Sequence, residues 1–206
     1  MPKRSRKALR IESCVKHFLK EYRKHSHLDE KYGGAYYWNE RDIQWALYSH
    51  LRERAVQRSI GSKWSVHAEG RVERPKYARK NKWPGTRRAD IVIINHDAFK
   101  RAWRDGADFP PYEMMIEIKM VWPGWGPKFY RNSIKRDIEK LESCLSSGIT
   151  KEAIFILLDG LDRNGIPYYN EKDLQDLKKN SNLIIYHWPD SKKPVDYVKD
   201  ADFRRY

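Results

Sequence analysis

The sequence predicts a mixed α/β domain in which helices flank a central β-sheet. Three observations point there. Ala153 to Leu158 is a wholly apolar run, the pattern of a central strand covered on both faces. Trp64 to Val72 alternates, with Trp64, Val66, Ala68 and Val72 on one side and Ser65, His67, Glu69 and Arg71 on the other. Segments before and after these runs carry apolar residues at helical spacing.

The elements follow in order. Residues 5–24 place Ala8, Ile11, Val15, Phe18, Leu19 and Tyr22 on one helical face. A Gly-containing loop runs from Tyr32 to Trp38, and Asn39 can cap a second helix that extends to about Gln57 with Ile43, Leu47 and Leu51 inward. The alternating strand comes next, then a basic loop over 73–88 broken by Pro75 and Pro84-Gly85. Arg88 to Ile94 reads as a second strand and 97–105 as a short helix. Tyr112 to Val121 is a third strand, followed by the loop Trp122 to Pro127. Asn132 or Ser133 starts a helix with Ile134, Ile138, Leu141 and Leu145 on one face. After the apolar strand come a short helix over 171–179 and a last strand, Leu183 to Trp188. One domain is expected over 1–206: a basic helix and loop over 1–38, a core over 39–188 and a charged tail over 189–206.

Composition narrows the function classes. The two cysteines, Cys14 and Cys144, fall in helical segments, which argues against a disulfide framework or a Cys/His metal site. A reducing cytoplasm is therefore expected. No segment approaches the ~18 apolar residues of a membrane span, and the basic N-terminus has no apolar signal core after it. The net charge of +14 favours a polyanionic partner, of which nucleic acid is the commonest.

The chemistry lies on the second and third strands. In Met115-Ile116-Glu117-Ile118-Lys119-Met120, alternation puts Glu117 and Lys119 on one face and Ile116 and Ile118 on the other. Asp90 opens the apolar run of the preceding strand. If the two strands are neighbours, Asp90 lies beside Glu117, and two such carboxylates repel unless a cation joins them. A hard divalent cation accepts oxygen from both. Glu40 lies three and seven positions before Ile43 and Leu47, on the inward face of its helix, and Glu69 lies on the polar face of the first strand. Each is a further acid within reach, although a helix-dipole role for Glu40 and an ion pair with Arg71 for Glu69 explain them as well. Arg74, Lys76, Arg79, Lys80, Lys82, Arg87 and Arg88 surround the strand connection and suit phosphates. Lys135, near a helix start, is a weaker phosphate contact, and Asp137 and Lys140 read as a solvated helix face.

Asp90 followed by Glu117-Ile118-Lys119 resembles the core motif of the PD-(D/E)XK nuclease superfamily. The order of elements from about 39 to 159 is similar as well. The resemblance implies a restriction endonuclease-like core and a metal-dependent DNA endonuclease that leaves a 5′-phosphate, with RNA left open. It implies Asp90, Glu117 and the carbonyl of Ile118 as ligands of Mg²⁺, with Mn²⁺ able to substitute. Lys119 would orient or help deprotonate the attacking water, Glu40 and Glu69 would support the site, and a homodimer is compatible. Ala89 stands where many members have Pro, and the motif acids are 27 positions apart (117 minus 90). The alternative from a different class is a non-catalytic nucleic-acid-binding protein on the same kind of fold.

Overall fold

The computed structural model describes residues 6–26, 40–58, 64–72, 87–106, 111–121, 127–159, 169, 171–189 and 204–205. The basic loop residues Arg74, Lys76, Arg79, Lys80 and Lys82 lie outside them, as do 27–39, 122–126 and most of the tail.

The elements are α1 (Arg6–Ser26), α2 (Glu40–Arg58), β1 (Trp64–Val72), β2 (Arg87–Asn95), α3 (His96–Arg104), β3 (Met114–Val121), α4 (Pro127–Ser146), β4 (Ala153–Asp159), α5 (Glu171–Leu177), β5 (Leu183–Pro189) and β6 (Arg204–Arg205). The strands form one sheet in sequence order. β1, β2 and β3 pair antiparallel, β3, β4 and β5 pair parallel, and the short β6 adds antiparallel to β5. The parallel strands need crossovers, which α4 and the segment containing α5 supply.

Apolar burial defines two layers, one on each face of this mixed sheet. On one face, Ile11, Val15 and Leu19 of α1 and Ile43, Leu47 and Leu51 of α2 pack against Ile91, Ile93, Ile116, Ile118 and Ile156. On the other, Ile134, Ile138 and Leu141 of α4 and Leu174 of α5 cover Val92, Met115, Phe155, Leu157 and Ile185. β4 is buried along 153–158, as a strand covered on both sides must be. No helix of the described residues is long and apolar enough to cross a membrane.

Three local features differ from the sequence reading. α4 starts at Pro127, five or six residues before the Asn132 or Ser133 start. Proline suits a first helical turn, where its missing N–H has no intrahelical acceptor to lose. Tyr112 is not part of β3; it makes an isolated parallel bridge to Thr150. Within β1 the alternation is interrupted at Glu69, whose φ of 51° is left-handed. The next residue must be glycine: a Cβ on Gly70 would sit 2.3 Å from Val92 Cγ2.

Candidate active site

β2 and β3 part at the residues that carry charge. Their ladder pairs Ile91, Val92 and Ile93 with Ile116, Met115 and Met114 and does not extend further. Continued in the same register, it would set Asp90 opposite Glu117. Instead the Asp90 side chain enters the gap, and its Oδ2 accepts the N–H of Ile118 at 2.7 Å. A buried N–H left without an acceptor costs about 1–3 kcal/mol, so the carboxylate stands in for the missing strand bond. Helices take up carbonyls of the same stretch of β2. Gln44 Nε2 donates to the carbonyl of Asp90 at 2.8 Å, and Lys140 Nζ to that of Arg88 at 2.9 Å.

Glu117 points to the α4 side and is 4% exposed. Lys140 Nζ lies 2.6 Å from its Oε1. The contact is short, yet Oε1 receives no aligned hydrogen bond from the described residues. Lys119 stands two residues along the same face. Its Nζ is 3.1 Å from both oxygens of Glu40 and 3.4 Å from Asp137 Oδ2. Glu40 also accepts the N–H of Met120 at 3.3 Å, so the first turn of α2 grips the end of β3.

The charges therefore form a chain: Glu40, Lys119, Asp137, Lys140, Glu117, with Asp90 beside it. Four carboxylates (Asp90, Glu40, Glu117, Asp137) face two ammoniums (Lys119, Lys140), so full ionisation would leave two negative charges unbalanced. The titration behaviour expresses that excess. Burial pushes Glu117 up to about 8, and the charge of Asp90 adds to the effect. Burial likewise pushes Asp90 up to about 6, opposed by the Ile118 hydrogen bond and reinforced by Glu40. For Lys119 burial is the largest influence and acts downward, but Glu40 and Asp137 together outweigh it and hold the ammonium above its usual value. Protons on the acids thus do part of what a cation would do.

The sequence-predicted residues separate into two groups. Asp90, Glu117, Lys119 and Glu40 come together, and Ile118 joins them through its backbone. Glu69 does not: it pairs at 2.9 Å with Arg88, both well exposed, and the side chain of Arg71 lies outside the described residues. Lys135 is exposed and meets Glu139 at 3.9 Å. Arg87 opens β2. Asp137 and Lys140, expected on a solvated face, belong to the site instead. The available signal was their spacing with Cys144 at i, i+3 and i+7, flanking the apolar stripe of α4. Gln44 had the same spacing on α2, three and seven positions before the buried Leu47 and Leu51. Among the described residues, no three His, Cys, Asp or Glu side chains stand grouped as a ready metal shell.

No protein-family model, curated protein or solved structure matches this chain. Its functional reading therefore rests on the site itself.

Proposed function

We propose that the protein is a metal-dependent DNA endonuclease of the PD-(D/E)XK kind, with a restriction endonuclease-like core. The observation that carries this reading is the gap between β2 and β3, where Asp90 and Glu117 converge beside a doubly paired Lys119. A binding module gains nothing from buried acids next to phosphates, whereas a hydrolase needs them.

The residues present fit a divalent cation. Among the described residues the buried Glu117 meets one ammonium, at Oε1, two carboxylates resist ionisation together, and the excess charge equals that of one such ion. Asp90, Glu117 and the Ile118 carbonyl would hold it, Mg²⁺ first and Mn²⁺ in substitution. Bound there, the ion would polarise the phosphoryl oxygens and acidify a water. The protein's own groups do the rest. Lys119, kept charged by Glu40 and Asp137, donates hydrogen bonds and offsets negative charge as water attacks phosphorus; it is not a proton acceptor. The bond from phosphorus to O3′ breaks, the attacking water releases a proton to solvent, and the leaving O3′ takes one from solvent. The products are a 5′-phosphate and a 3′-hydroxyl, which a ligase would rejoin without prior phosphorylation.

One observation favours the non-catalytic reading. Lys140 already sits against Glu117 and lessens its need for an ion. Thermal unfolding separates the two. Mg²⁺ should raise the midpoint of the wild type and leave Asp90→Ala unchanged; no shift in either protein would favour the binding module.

A further inference from the structure

α3 lies between the two strands of the site in sequence, yet it buries none of its residues. Its start is built with care. Asn95 Oδ1 accepts the N–H groups of Asp97 and Ala98 at 3.0 and 3.2 Å, the work of a proper N-cap. A capped helix with no buried face owes little to the core. Phe99 and Trp103, four residues apart, stack with their rings 6.5 Å apart and 19° from parallel. Trp103 is 80% exposed, the most open large apolar side chain among the described residues. Lys100 and Arg104 follow Phe99 and Trp103 by one position each, so helical geometry sets a basic stripe beside the aromatic one. Both cations are exposed, and among the described residues Arg104 pairs through Nε with Asp105 at 3.2 Å.

We propose that this face of α3 is a second nucleic-acid contact, in which Trp103 stacks on an unpaired base and Lys100 and Arg104 hold the adjoining phosphates. The proposal rests on the nuclease reading for its substrate and deepens it: the preferred substrate carries a single-stranded stretch. An exposed indole backed by a second ring offers a flat, pre-ordered face, and every base can stack on it. The neighbouring cations, in a chain of net charge +14, select a polyanion over a neutral protein surface. The contact is separate from the cleavage site. Four residues of β2 lie between Asp90 and Asn95, the cap of α3, so that helix starts roughly 17 Å along the strand from Asp90.

The test is binding in EDTA, where no cleavage occurs, with a labelled single strand of about 12 nucleotides, within the range of site sizes of single-strand binders. Trp103→Ala should weaken binding by about 5- to 150-fold with an unchanged salt slope. Lys100→Ala with Arg104→Ala should lower the slope of log K against log salt by about 1.4, two contacts at roughly 0.7 each. Far-UV circular dichroism would confirm that each variant is folded; Trp103 is too exposed for its loss to open the core. Unchanged affinity in Trp103→Ala would overturn the proposal, as would an equal loss on an unbroken duplex, which offers no free base. An aromatic patch that binds protein instead would leave both variants at wild-type affinity for the single strand. A wild type that cuts nothing, with Trp103→Ala still impaired in binding, would remove the nuclease reading and keep this contact.

Discussion

At the scale of single residues, the site is held together by charges that do not balance. Asp90 and Glu117 are both harder to ionise in the folded protein than at their ordinary values of 3.8 and 4.5. The sign follows directly. Below those values both folded and unfolded chains hold the protons, and the pair costs nothing. As pH rises the unfolded chain releases them first, so the pair's contribution to stability falls, levelling off above about 8. A tenfold difference in proton affinity between the two states is worth about 1.4 kcal/mol, which makes the loss on the order of several kcal/mol. In EDTA, the unfolding midpoint of the wild type should drop more steeply across that range than that of Glu117→Gln. Parallel slopes for the two proteins would refute the buried-acid account. Mg²⁺ should flatten the wild-type slope by replacing the missing positive charge.

At the scale of elements, the decisive feature is where pairing stops. β1 and β2 stay in one register from Trp64 to Val72, but β1 turns through a left-handed Glu69 and needs glycine next to it. Gly70→Ala should cost about 1–3 kcal/mol through overpacking against Val92. Val92→Ala in the same chain should recover part of that in a double-mutant cycle, because two of its three crowding atoms are removed. Asn95→Ala, which strips the cap from α3, should speed amide exchange over 96–104 while leaving the global midpoint nearly unchanged, since that helix buries no residue.

The elements that periodicity governs were legible in the sequence: α1, α2, β1 and β4, buried along 153–158, stand close to where apolar spacing put them. Asp90, Glu117 and Lys119 were legible because a charge inside an apolar strand is conspicuous. Asp137 and Lys140 were not, because lysine and aspartate on a helix normally face water and only the packing of α4 on β3 turns them inward. The start of α4 at Pro127 and the two-residue β6 were hidden as well, the first by a proline that also ends loops, the second by its length.

At the scale of the whole molecule, a mixed sheet sandwiched by helices brings α2 and α4 to the same opening from opposite faces. Glu40 arrives from one layer and Asp137 from the other, and both close on Lys119. Neither helix alone could fix that lysine. Activity should therefore be sensitive to both supports. Glu40→Gln and Asp137→Asn should each reduce cleavage, and Lys119→Ala should reduce it by about 10²- to 10⁴-fold, the span expected for a group that acts at the reacting centre. Wild-type rates in all three variants would dissociate Lys119 from the chemistry.

The most direct measurement is cleavage of supercoiled plasmid and of branched, single-stranded and linear DNA in Mg²⁺ or EDTA, with wild type beside Asp90→Ala and Lys119→Ala. The geometry predicts cutting that requires Mg²⁺, leaves ligatable 5′-phosphate ends and disappears in both variants. A wild type that binds these DNAs and cuts none of them, nor RNA, in Mg²⁺ or Mn²⁺ would contradict it.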